Sequence, residues 1–251
     1  MKKVFLLCMV GLGFVACTKK PDPVTEVKQE PSTGFVLEFD NSVNNESLVY
    51  GKYYLNENGD SFKVSAFKYH ISNISLTGSN GETYTEVESY HLINHGNDSS
   101  KSFELKNVAE GKYVKIKFMI GVDSARNVSG AQVGALDPVN AMFWDWNTGY
   151  IMAKVEGFSP QASIYPNNLA MHIGGYSQPY SALRWVTLTL PTVAYSKTSR
   201  RTIHIKADLA EWFKTPNLIK FADFSAVAKI GADAQKIADN YVDMFSIDHI
   251  D

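Results

Sequence analysis

Cysteine is nearly missing from this chain. Only two occur, Cys8 and Cys17, and both fall within the first seventeen positions. Once past Cys17 there is no thiol for a disulfide, a cysteine–zinc site or a blue-copper thiolate. Any metal held there must use imidazole, thioether, carboxylate, carbonyl or a modified aromatic ring. An excess of positive charge is missing too. The formal net charge of -2 excludes the basic face that a nucleic-acid partner requires. No G-x-S-x-G elbow, P-loop or dinucleotide fingerprint occurs, and the histidines form no H-x-H or H-E-x-x-H motif. These absences point away from an enzyme. They also mean that a histidine metal site must be assembled across separate segments.

The apolar run from Val4 to Val15 is too short to cross a bilayer, which takes about 20 residues. It follows Lys2 and Lys3 and ends in Phe14-Val15-Ala16-Cys17. That order fits a secretory signal and resembles a bacterial lipoprotein signal, with cleavage before Cys17 and lipid on its sulfur. Thr18, where an Asp would mark inner-membrane retention, implies an outer-membrane anchor facing the periplasm or the cell surface. Residues 1–17 are thus read as signal. Residues 18–34, polar and punctuated by proline, are read as a flexible tether. Residues 35–251 remain for one domain, a length common for a single all-β unit.

That domain is rich in tyrosine and phenylalanine and reads as many short strands between turn residues. Strands are predicted over 35–40, 61–76, 83–94, 113–120, 150–156, 168–174, 183–190 and 201–207. The apolar parity slips at Ser72-Asn73, which predicts a β-bulge. Asp208 is placed to cap a short helix over 208–214. Ile237, Tyr241 and Phe245 at i, i+4, i+8 predict an amphipathic helix over 233–245. The expected fold is mainly β: an antiparallel β-sandwich with long loops and one or two short C-terminal helices.

Between two of these strands lies a stretch of about twenty residues rich in Gly, Asn, Asp and Pro, longer than an ordinary connection. It ends in Met142, Phe143, Trp144 and Trp146, side chains costly to leave in water, so an ordered loop is expected. Asp123, Asp137 and Asn140 give it oxygens of the kind a calcium ion takes; the competing use is turn and cap chemistry. Trp144 and Trp146 share a face if the segment is extended. With Tyr150 they offer either a core anchor, a metal-proximal indole or an aromatic platform for a glycan or protein partner.

Of the six histidines, His70, His91, His172 and His204 lie in predicted strands. His95 and His249, in a loop and near the end, are expected to face solvent unless the tail folds back. Met171-His172-Ile173-Gly174-Gly175 places His172 beside glycines that permit a close approach by a ligand or another backbone.

The long stretch, G-V-D-S through S-G-A-Q and G-A-L-D-P to N-A-M-F-W-D-W-N-T-G-Y-I-M-A-K-V-E-G, resembles the signature block of the MbnP-like family. These are periplasmic or surface proteins related to the partner protein of methanobactin systems. F-K-Y-H-I-S-N-I-S-L, M-H-I-G-G-Y and A-D-N-Y-V-D-M-F-S-I-D-H-I agree in order, so the resemblance spans the domain. It implies a β-rich extracytoplasmic protein that binds copper for delivery or sequestration without catalysis. In some relatives a tryptophan is oxidised to kynurenine by a di-haem peroxidase-like partner and lies in W-x-H, a spacing missing here. On this resemblance the copper ligands are expected at His172 first, then His70, His91 and His204, with Met142 or Met171 assisting Cu(I).

Overall fold

The computed structural model describes residues 34–195 and 200–251, apart from Ala131, Trp146 and Asn147. The signal, the lipidation site Cys17 and the tether up to residue 33 lie outside the described residues, as does Trp146. In chain order the strands are β1 (Gly34–Val43), β2 (Glu46–Ser47), β3 (Tyr53–Leu55), β4 (Ser61–Gly78), β5 (Thr83–Thr85), β6 (Tyr90–Asn94), β7 (Ser102–Leu105), β8 (Lys112–Ile120), β9 (Phe143–Asp145), β10 (Gly149–Phe158), β11 (Asn168–Gly174), β12 (Arg184–Tyr195), β13 (Arg200–Asp208), β14 (Ala226–Val227) and β15 (Phe245–Ile250). Among the described residues, two α-helices, α1 (Ser124–Asn127) and α2 (Ala232–Tyr241), and short 3₁₀ turns accompany these strands.

The strands form two sheets. The smaller runs β15-β13-β1-β2, with β7 also on β1; the larger runs β12-β8-β4-β10-β11-β14, with β3, β5 and β6 on β4 and β9 on β10. Alternation supplies each sheet with one apolar face. Phe35, Leu37 and Phe39 of β1, Ile203 and Ile205 of β13, and Phe67, Tyr69 and Ile71 of β4 are all fully buried. Phe39 is the hub: its ring meets Tyr69, Phe118 and Phe245 edge-on at 6.1 to 6.2 Å and stacks on Phe103 at 6.0 Å. Tyr69 carries its hydroxyl into this layer and donates to Asn41 Oδ1 at 2.9 Å.

The mainly β sandwich agrees with the sequence reading, but its pairing is mixed. β1 and β13 run parallel, in register from Gly34 opposite Arg200 to Ser42 opposite Asp208, and β11 pairs parallel with β14. A parallel pair needs a long crossover, and here most of the larger sheet forms it. The expected bulge is present: the β4–β8 register shifts between Ser72 and Ser75, and Asn73 adopts a φ of +54°. The strand predicted over 83–94 is broken at Glu88, which adopts a φ of +52°, so that buried Ser89 can take the Ile74 amide on its hydroxyl at 2.9 Å.

Asp208 does cap a helical turn, the 3₁₀ segment Leu209–Phe213, accepting from the Ala210 amide at 2.9 Å. It also takes the amides of Asn44 and Asn45 at 2.9 and 3.0 Å, both of which are left-handed residues. Replacing it by alanine orphans three amide donors at once. Asp208→Ala is expected to lower unfolding free energy by about 2 kcal/mol, near the top of the range for a lost cap. Urea denaturation checks this, and a loss no larger than that of an exposed aspartate would contradict it.

The second helix stops earlier than expected. α2 ends at Tyr241, Val242–Met244 forms a 3₁₀ turn, and Phe245 opens β15. The i, i+4 spacing from Tyr241 to Phe245 is therefore not helical continuity. Phe245 instead plugs the sandwich against Phe39, Tyr69 and Phe118, and that burial outweighs helix propensity. This extra strand proves decisive for the site.

Candidate metal site on the smaller sheet

The histidines expected to act together occupy different places. His70, in β4, is fully buried, and neither ring nitrogen makes a hydrogen bond. Its edge meets the Tyr150 ring at 5.8 Å. Burial drives its pKa down from 6.5 to about 3. His91, in β6, stacks on Phe103 at 3.5 Å and holds Glu86 through Nε2 at 2.9 Å. His172, in β11, pairs through Nε2 with Glu156 Oε1 at 2.8 Å, and Lys154 reaches the same oxygen at 2.9 Å. Its pKa is lowered by burial and then by the Lys154 ammonium, against the pull of Glu156. His91 and His95 are four apart, a spacing that would align them on a helix, but here one sits in β6 and the other just beyond it. His95 packs edge-on against Tyr50 at 4.8 Å and is half-buried rather than solvated.

The described residues of the long loop lie over β4 and β10. Lys68 Nζ donates to the Asn140 carbonyl at 2.9 Å and Lys154 Nζ to the Ala141 carbonyl at 3.4 Å. The Tyr150 hydroxyl donates to Leu136 O at 2.7 Å. Its oxygens serve as caps: Asp123 accepts from Asn73, Tyr90 and the Arg126 amide, and Asp137 from the Val139 amide. The Asn140 side chain donates to Gly134 O and Ala135 O. Asp123, Asp137 and Asn140 are thus engaged separately rather than turned toward one shared point. The aromatic platform also needs correction. Tyr150 is buried, as are Met142 and Met171, and Trp144 is half-buried with its ring where a Gly174 side chain would be. The glycine next to Ile173 therefore admits the loop's own indole.

A convergent cluster lies on the other sheet. Among the described residues, two groups of three His, Asp or Glu side chains bring their ligand atoms within 4.8 Å of one another: His204, His249 and Asp251, and Glu38, Asp40 and His204. The register explains both. Glu38 of β1 lies opposite His204 of β13, and His204 lies opposite His249 of β15, so three strands place them in one row. Their inward neighbours Leu37, Phe39, Ile203 and Ile205 face the core, which turns Glu38, Asp40 and His204 outward. In β15 the register shifts between His204 and Ile205, leaving Asp248 as an extra residue beside His249. Such a bulge re-aims side chains.

The two imidazoles stack with centroids 4.1 Å apart and planes 9° from parallel. His204 Nδ1 faces Asp40 at 3.4 Å and its Nε2 faces Asp251 at 3.3 Å. His249 Nδ1 faces Asp248 at 2.8 Å and its Nε2 faces Asp251 at 3.8 Å. Hydrogen bonding to Asp248 raises the His249 pKa, with the Asp251 and Asp248 charges adding to it. Lys206 Nζ, at 3.4 Å from Asp248, is the cation paired with this carboxylate-rich group. Two imidazoles with a carboxylate between them form a donor set suited to copper(II) and other borderline divalent ions. His204 was legible from sequence as a strand histidine. His249 was open to it only if the tail folded back, and Asp251, Asp40 and Glu38 were not legible, although the alternation Phe245-Ser246-Ile247 was the signal that could have revealed β15.

The fold has relatives. A family model described as MbnP matches residues 32–231, well over half of the chain. It includes Glu38, Asp40 and His204 and stops short of His249 and Asp251. The solved structure of MbnP from Methylosinus trichosporium superposes with a TM-score of 0.52 at 14% identity, covering 73% of this chain and 78% of that one. That likeness shows a shared fold. No curated protein matches the chain. With the family model spanning most of the sandwich, the chain belongs to the MbnP family.

Proposed function

We propose that this chain is a copper-binding protein of the cell envelope, lipid-anchored through Cys17, which holds the metal for delivery or sequestration and performs no chemistry on it. One observation carries the binding role: His204, His249 and Asp251 converge on one face. Family membership supports the choice of copper, and the imidazole–carboxylate donor set is compatible with it. An exposed site on a sheet face, rather than a closed cavity, suits exchange with another protein. A di-haem peroxidase-like protein is the partner class that the family resemblance suggests.

Competitive titration of the purified protein with copper tests the reading. One site tighter than micromolar is expected. His204→Ala and His249→Ala should each weaken it by more than about 100-fold, since loss of a ligand's supporting group alone costs ~10–100-fold. His91→Ala and His172→Ala should leave affinity unchanged. Absence of binding tighter than micromolar would sink the function, and loss of binding in His172→Ala alone would move the site to the larger sheet.

A further inference from the structure

We infer that the cluster selects an oxidised, divalent ion of the copper(II) class, bound by His204 Nε2, His249 Nε2 and the Asp251 carboxylate, with Asp40 and Asp248 as positioning residues that set both imidazole tautomers. This rests on the reading that the cluster binds metal.

A neutral imidazole keeps a hydrogen on one nitrogen and offers a lone pair from the other, and the hydrogen-bond partner decides which. An ionised carboxylate can only accept. Asp40 at His204 Nδ1 and Asp248 at His249 Nδ1 therefore each hold a hydrogen on Nδ1. That leaves both Nε2 lone pairs for the same side, where Asp251 faces His204 at 3.3 Å and His249 at 3.8 Å. Both Nε2 atoms thus share one side of the stacked pair, and a metal held by both requires the two rings to tilt out of parallel, because imidazole lone pairs lie in the ring planes.

The bulge is what supplies Asp248. In a regular strand its side chain would face away from that of its neighbour His249. As the extra residue of the bulge it comes within 2.8 Å of the His249 ring instead, and Lys206 holds it from the other side. Both imidazoles thus have a carboxylate behind them, the arrangement that fixes and strengthens histidine ligands in metal centres. The donors are nitrogen and ionised oxygen, which favour the divalent ion; Cu(I) prefers sulfur. Met142 and Met171 are buried on the larger sheet's side of the fold and belong to other strands and loops. Three protein donors also leave coordination positions for water or for a group on a receiving protein.

Full-length protein loaded with Cu(II) would be studied by electron paramagnetic resonance and by electron spin-echo envelope modulation, which senses the remote nitrogen of a bound imidazole. The wild type should show two nitrogen donors. Asp248→Asn and Asp40→Asn should keep both donors, weaken affinity by about 10–100-fold, and shift the remote-nitrogen couplings, because the Nδ1 hydrogen then meets a neutral amide. Asp248→Glu should restore both readouts. Asp251→Asn should instead alter the directly bound donor set. Wild-type affinity and unchanged couplings in both Asp248→Asn and Asp40→Asn would overturn the positioning roles while leaving the site intact. Tighter binding of Cu(I) than Cu(II) would overturn the divalent assignment. A wild type that binds neither ion would remove the proposed function itself.

Discussion

Acidifying the wild-type protein from pH about 7 to pH about 4.5 is expected to cost roughly 2.5 kcal/mol more stability than the same change costs His70→Leu. His70 is buried in β4 with its ring against Tyr150 and both nitrogens without a hydrogen bond. Its folded pKa is about 3, against 6.5 for the exposed imidazole. Above pH 6.5 it is neutral in both states and contributes no pH dependence. Below that, the unfolded chain takes up a proton that the fold refuses, so stability falls by about 1.4 kcal/mol per pH unit until pH nears the folded value. Other histidines titrate too: burial lowers His95 and His172 in the same sense, and Asp248 raises His249 in the opposite one. Their contributions cancel when wild type and variant are compared at both pH values. Leucine also removes two buried, unpaired nitrogens, so near pH 7 the variant should be no less stable than wild type within about 1 kcal/mol. Urea unfolding of both proteins at the two pH values is the measurement. Parallel acid losses would show that His70 is not the proton-refusing group.

Phe39→Ala should be the most damaging substitution in the sandwich, costing about 3–5 kcal/mol, as large-to-small changes at buried aromatic positions do. Phe39 has no exposed surface, and its ring contacts come from both sheets: Tyr69 and Phe118 from the larger, Phe103 and Phe245 from the smaller. The cavity would open where the layers meet, and the backbone hydrogen bonds on each side limit its collapse. The neighbours Glu38 and Asp40 are carried outward by the same strand toward His204. A destabilised β1 should therefore also loosen the proposed metal site. Thermal unfolding with and without copper checks both effects. A loss under about 1 kcal/mol, the scale of a partly exposed residue, would mean that the ring is not the hub.

Legibility varied with the range of the interaction concerned. Local periodicity placed most of the strands, because the alternation that buries Ile116 and Phe118 while exposing Lys115 and Lys117 is written within one segment. The bulge at Ser72-Asn73 and the cap at Asp208 were readable for the same reason: each is a local pattern of parity or side-chain chemistry. That Met142 and Tyr150 would pin the long loop also followed from its own residues. Met142 and Tyr150 are buried, and the cost of exposing such groups can be judged without knowing what covers them.

What the amino-acid order determined by itself was therefore a thiol-poor β-sandwich, its turns and caps, and the family to which its blocks belong. The tertiary structure alone decided which histidines meet. His172, the favoured ligand by sequence, joins a Glu156–Lys154 pair on the larger sheet, whereas His204 finds His249 on the smaller. Alternation tells which face of its own strand a side chain occupies, but not which strand lies alongside. β1 and β13 are joined in parallel after most of the chain has intervened, and β15 adds its row only through a bulge at Asp248. Those pairings come from burying both sheets on one core around Phe39, a collective packing energy that no short stretch of sequence expresses.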